Sequence, residues 1–324
     1  MTLASLRRRG ALALALIAIV GGGSAAHAQA TWKPDKQVTL VVPYSPGGGT
    51  DAQSRAVARE LQRIWGQTVI VDNTAGADGL IGTRKVIESR PDGYTLLVQL
   101  NSLTLLKHLP TFKGTDPVTQ LVPVSAFASL PVVLVANAKL PIKTVAELTQ
   151  YCKANPCSFG TTENVARLQA QMYKAETGID NLVVVNYKGG GQLITDLVAN
   201  HVNVAIMGIT AAMPHYKSGA LRVLASAGKK RSPVMPEVPS ALEAGMPGMD
   251  EPIWYGVFAP KDTPANIVQG VAAAVREAIK GDEVKKTFAT LGSDAIGNSP
   301  AEFATMVNAE SDRMGTLVKR FPIE

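Results

Sequence analysis

One stretch limits the fold more than any other. Val38-Thr39-Leu40-Val41-Val42 is a short apolar run rich in β-branched residues, Pro43 to Gly49 is a proline- and glycine-rich turn, and Thr50-Asp51 open an amphipathic segment that reaches Trp65. A run this short, bounded by turn residues, reads as a buried strand. Beyond the turn, Val57, Leu61, Ile64 and Trp65 share one face of a helix, Gly66 ends it, and Thr50 or Asp51 is expected to cap it. Gly47, Gly48 and Gly49 let backbone N–H groups come close to a ligand, and a helix N-terminus adds roughly half a positive charge. A carboxylate or phosphate fits such a turn; a plain strand-to-helix connection is the alternative.

The same alternation continues. Thr68 to Asp72 reads as a second strand, a helix runs through Lys85 and Ile87, and Tyr94 to Leu100 is a third strand ending at Asn101 and Ser102. Strand, helix, strand, helix predicts an α/β fold with mostly parallel sheets, in which ligand groups gather at the C-terminal strand ends. After a less regular stretch from Lys107 to Pro123, strands at Val124 to Ala128 and Pro131 to Val135 are expected, with a crossing between lobes near Ser129 to Pro131. A second lobe then holds helices at Val145 to Tyr151, Asn164 to Thr177 and Gln192 to Ala199, and strands at Ser158 to Thr161, Leu182 to Tyr187, Val202 to Met207 and Leu221 to Ala225. Pro252 to Pro260 reads as the strand that returns the chain, and three helices follow it, ending near Lys319. The expected division is residues 29–129 and 253–324 in the first lobe and 130–252 in the second.

Export enters through the first 28 residues: Arg7, Arg8 and Arg9, an apolar run from Ala11 to Val20, and Ala26-His27-Ala28 have the pattern of a cleaved secretory signal peptide, residues 1–28. Setting those arginines aside lowers the formal charge from +6 to +3, which removes the main support for nucleic-acid binding. In an oxidising compartment Cys152 and Cys157 can close a disulfide; two reduced thiols are the alternative, and no histidine follows at metal-ligand spacing.

No G-x-S-x-G, H-E-x-x-H or Walker A motif is present, and His108, His201 and His215 fall in no site motif. The competing enzymatic reading is a dinucleotide site, since Gly47-x-Gly49-x-x-Ala52 follows a strand and Asp72 lies 20 positions beyond Ala52. Against it, nicotinamide cofactors are not normally supplied outside the cytoplasm, and Pro46 removes a donor from the turn. A second glycine turn, Tyr187-Lys188-Gly189-Gly190-Gly191, repeats the strand, turn, helix logic in the second lobe.

Val41 to Asp51, Pro91-Asp92-Gly93-Tyr94-Thr95, Tyr187 to Gly191 and Trp254-Tyr255-Gly256 occur in an order and spacing that resembles the tripartite tricarboxylate transporter receptor family, also called Bug or TctC proteins. Ala146-Glu147-Leu148, Leu221 to Ala225 followed by Lys230-Arg231-Ser232-Pro233, and Glu243 to Gly248 extend the resemblance over essentially the whole mature chain. It implies a periplasmic-binding-protein-like type II fold of two lobes, which closes on a small mono- or dicarboxylate, aromatic ones included, and delivers it to integral-membrane permease subunits. No cofactor, metal or catalytic residue is implied, and a monomer is expected. Carried over by position, the ligand loops are Tyr44, Ser45, Gly47, Gly48, Gly49, Thr50 and Asp51, then Asn101 and Ser102, then Lys188, Gly189 and Gly190. After Gly160 the family commonly continues with small residues, whereas this chain has Thr161-Thr162-Glu163-Asn164-Val165-Ala166-Arg167. Thr161, Thr162 and Arg167 are therefore candidate cleft residues: Arg167 either reaches a distal carboxylate or pairs with Glu163 on a wet helix face.

Overall fold

Residues 32–110, 112–187, 190–232, 234–246, 248–249 and 252–323 are described by a computed structural model. The expected signal segment 1–28 and the expected ligand residues Lys188 and Gly189 lie outside the described residues.

The first lobe begins with β1 (Val38–Val42), α1 (Gly49–Trp65), β2 (Val69–Asn73), α2 (Leu80–Ile87) and β3 (Thr95–Leu100), then a 3-10 helix (Asn101–His108) and β4 (Leu121–Leu130). The apolar face anticipated for α1 is the face it buries: Val57 and Leu61 are enclosed and Trp65 nearly so, each stabilising the fold by about 1.5–3 kcal/mol. Gly66 ends the helix in the left-handed conformation, its N–H bonded to Gln62 O.

The chain then enters the second lobe with β5 (Val132–Asn137), α3 (Val145–Ala154), β6 (Cys157–Thr161), α4 (Asn164–Thr177), β7 (Leu182–Asn186), α5 (Gly190–Val198), β8 (Val204–Gly208), α6 (Ile209–Lys217) and β9 (Leu221–Ser226). It returns through β10 (Ile253–Pro260), followed by α7 (Ala265–Ala278), α8 (Asp282–Leu291), β11 (Asp294–Ala295) and α9 (Pro300–Arg320). Cys152 and Cys157 are disulfide-bonded and tie the last turn of α3 to the first residue of β6.

The two sheets share one plan. Their orders are β11-β4-β10-β3-β1-β2 and β7-β6-β8-β5-β9. In the first, β1, β2, β3 and β4 run one way, against β10 and β11. In the second, β6, β7, β8 and β9 run one way and β5 runs against them. In the first lobe β1 sits between β2 and β3, and in the second β6 sits between β7 and β8, which creates a switch point at the C-terminal ends of these strands. The strands β5 and β10, which open the two crossings, are the antiparallel insertions. Pro131 alone separates β4 of one sheet from β5 of the other.

Several local expectations are corrected. The residue preceding α1 is Gly48, with no side-chain cap, so neither Thr50 nor Asp51 caps the helix; both lie inside its first turn. The irregular stretch begins after a 3-10 helix, whose Leu103, Leu105 and Leu106 are buried. Helix α6 was not anticipated because Pro214 interrupts its pattern; burial of Ile209 and Ala212 outweighs that break. An apolar cluster joins the lobes, with Val165, Leu168 and Met172 of α4 packed among Leu103, Leu106, Trp254 and Phe303.

Candidate functional site

The first-lobe turn is shaped from within. Gly47 has φ +86°, which suits glycine, and its N–H donates to Asp51 Oδ2 at 2.9 Å. Asp51 also accepts from Arg55 Nε at 3.0 Å and from Asn73 Nδ2 at 3.0 Å, while Asn73 Nδ2 reaches Tyr44 O at 3.1 Å. Burial pushes the Asp51 carboxyl up, but the bonds from Arg55, Gly47 and Asn73 outweigh it and hold the group below its ordinary value. Asp51, expected among the ligand groups, thus has its carboxylate engaged by the turn itself, and so does the Gly47 N–H. The first N–H groups of α1 have no side-chain cap and are available to an anion or water. Ser45, Gly47, Gly48 and Gly49 are exposed and Thr50 is buried. Tyr44 fastens the turn to the next strand end, its hydroxyl 2.9 Å from Ser102 Oγ and bonded to Gln99 Oε1.

Three strand ends border a cavity between the lobes, β3 through Asn101, β6 through Thr162 and Glu163, and β8 through Gly208, whereas Tyr44 to Asp51 of the β1 turn are not among its lining residues. The cavity is lined by Asn101, Thr162, Glu163, Val165, Ala166, Gln169, Ile206, Met207, Gly208 and the crossing-strand residues Val132 and Ile253. Its interior, about 30 Å³, has room for about one water. Asn101 is buried; its Nδ2 donates to Glu310 Oε1 at 3.2 Å and its Oδ1 has no hydrogen-bond partner.

Of the second-lobe candidates, Thr162 lines the cavity, whereas Thr161 lies at the end of β6, fully buried, with its Oγ1 unpartnered. Gly190 is the first residue of α5. Arg167 is not among the lining residues; its Nε is buried without a partner, and its backbone N–H bonds to Glu163 O at 2.9 Å in the first turn of α4. Glu163 precedes that helix and makes no capping bond. Part of its surface opens on the cavity while protein surrounds it, and this burial pushes its carboxyl up to about 7.

The sequence singled out Tyr255 only within the Trp254-Tyr255-Gly256 motif, not as a site residue. It is buried on β10, and its hydroxyl is raised by burial and then by the Glu163 charge, with Thr50 and Gln53 pulling the other way. One side chain therefore stands between the first turn of α1 and the second-lobe wall. The signal that could have found it is the position of β10, a crossing strand that abuts the cleft. Its neighbour Trp254 donates Nε1–H to Glu310 Oε2. Among the described residues no cluster of histidine, cysteine, aspartate and glutamate could hold a metal ion.

Two α/β lobes of one plan, each presenting a switch point to a shared cleft and joined by paired crossings, define a periplasmic-binding-protein-like receptor. The chain belongs to the tripartite tricarboxylate transporter receptor family, whose model matches residues 53–323. It is 34% identical over 319 residues to BugT of Bordetella pertussis, covering 94% of this chain and 96% of that protein. Among solved structures, MatC from Rhodopseudomonas palustris with bound malate is 30% identical with a TM-score of 0.78, covering 88% of this chain and 99% of that one. A second R. palustris protein, solved with adipate, is 31% identical with a TM-score of 0.80, covering 88% and 97%.

Proposed function

We propose that this chain is a periplasmic solute receptor that captures a small organic carboxylate between its lobes and delivers it to a tripartite tricarboxylate transporter permease in the membrane. The observation that carries the reading is the uncapped N-terminus of α1, whose turn is held open by the bonds among Asp51, Gly47, Arg55 and Asn73. Rigid backbone donors at a helix N-terminus suit an anion, and the N–H groups of Gly49 and Thr50 are the proposed carboxylate ligands, with Asn101 and Thr162 bounding the cleft. Malate and adipate in two related structures support the ligand class. The lobes are read as 29–129 with 253–324, and 130–252. Among the described residues no helix is long and apolar enough to cross a membrane, which is compatible with a receptor released after removal of residues 1–28.

A binding role without catalysis follows from the same reading. The acidic residue that a dinucleotide site needs, Asp72, is paired with Lys85 at 2.6 Å. Thermal melts with a panel of organic acids test the proposal, because a ligand that binds only the folded state adds about 2.7 kcal/mol at a hundredfold excess over Kd. At least one mono- or dicarboxylate raises the melting temperature. Shifts with NAD or NADP and none with any acid would instead support the oxidoreductase.

A further inference from the structure

Glu163 is the one charged side chain lining the cavity. No hydrogen bond or ion pair to its carboxyl is found among the described residues, and desolvation alone perturbs it. Across the cavity Asn101 is 2% exposed, with Nδ2 occupied by Glu310 and Oδ1 buried without a donor. The cavity thus meets a carboxyl without a partner, beside an asparagine whose carbonyl oxygen is buried and unpartnered; Thr162 and Gln169 are the other polar side chains of a lining that is otherwise apolar. Buried acceptors left without donors are costly. A ligand carboxylate placed against them would add a third acceptor and a like charge, so this wall is unsuited to the group that the α1 N-terminus is suited to hold. The other ionisable groups nearby are Tyr255 on β10, Arg167 on α4 and Glu310 on α9; Arg167 does not line the cavity, and Glu310 lies behind Asn101.

We propose that Glu163 and Asn101 together receive a ligand ammonium group, so that the cleft prefers an amino carboxylate to the same acid without the amine. An ammonium supplies three donors and a positive charge to a carboxylate and an amide oxygen, while the ligand carboxylate goes to the first-lobe turn. The proposal rests on the carboxylate-receptor reading and specifies its ligand further.

The test is calorimetric titration of the mature chain with two matched series, aspartate, malate and succinate, then glutamate, 2-hydroxyglutarate and glutarate. Within each series the members differ by ammonium, hydroxyl or hydrogen at one carbon. In at least one series the amino acid binds tenfold or more tightly than both relatives, and Glu163→Gln removes that advantage. A hydroxy acid that matches the amino acid would show that a neutral donor suffices and overturn the proposal. So would an unsubstituted acid that binds as well or better, with the carboxylate-receptor reading left standing. An ammonium advantage retained in Glu163→Gln would overturn the assignment to Glu163, and the wild-type comparison decides the ligand preference even if that variant does not fold. If none of the six acids binds, the proposal falls, and the melts with the wider acid panel decide whether the carboxylate reading falls with it.

Discussion

Asp51 illustrates how a residue can be placed correctly by sequence and still do something else. Its position at the head of the helix was legible, but its partner Asn73, which also donates to Tyr44 O, reaches it only because β1 and β2 pair in the register that sets Val42 beside Asn73. Local spacing does not contain that register. The substitution Asp51→Ala leaves the Gly47 N–H and the Arg55 Nε–H without their acceptor, although the guanidinium keeps Asn73 Oδ1, and is expected to cost about 1–3 kcal/mol of stability and at least tenfold in carboxylate affinity. Chemical denaturation and calorimetry measure the two losses. Glu163 gives a pH signature of opposite sense to an ion-paired carboxylate. Its folded-state pKa is raised to about 7, so between roughly pH 4.5 and 7 the folded chain holds a proton that the unfolded chain has released. Stability from this group is therefore greatest below the ordinary carboxyl pKa and falls as pH rises toward 7, by on the order of 3 kcal/mol at most. Glu163→Gln should flatten that part of the profile in denaturant melts collected across the range; an unchanged slope would mean that the carboxyl ionises as freely in the folded chain as in water.

Among the elements, the strand, turn, helix alternation was readable because each strand is a short apolar run ended by glycine, proline or a polar residue. Helix α6 and the 3-10 helix after β3 were not, since tertiary burial decides both. The glycine of Trp254-Tyr255-Gly256 has a packing reason that sequence alone does not reveal: a Cβ at Gly256 would lie 2.2 Å from Phe303 Cζ. That ring is fully buried and packs edge-on against Trp254, with centroids 5.2 Å apart, so it has little room to give way. Gly256→Ala should destabilise by about 1–3 kcal/mol through displacement of α9 from β10. A melting temperature within a degree of wild type would show that Phe303 can move aside. The disulfide closes a much shorter loop, from Cys152 to Cys157, and its loss in a double serine variant should cost about 2 kcal/mol by the loop-entropy argument.

At the scale of the whole molecule, the repeated topology could be suspected from two glycine turns, but the antiparallel insertion of β5 and β10 is a property of the crossings and shows only when the sheets are assembled. The geometry of those crossings leads to a prediction about motion. A ligand that bridges the α1 N-terminus and the second-lobe wall favours the closed arrangement, so X-ray scattering should record a smaller radius of gyration on saturation. An unchanged radius would identify a receptor that is already closed without ligand. The central claim, that a carboxylate is held between the lobes at the first-lobe turn, is tested most directly by a crystal structure of the protein with the tightest-binding acid from the melting panel. The account predicts a ligand carboxylate oxygen within hydrogen-bonding distance, about 3 Å, of the backbone N–H groups of Gly49 and Thr50, with the remainder of the ligand directed toward Asn101 and Glu163. Ligand density elsewhere, with water alone at the head of α1, would contradict it.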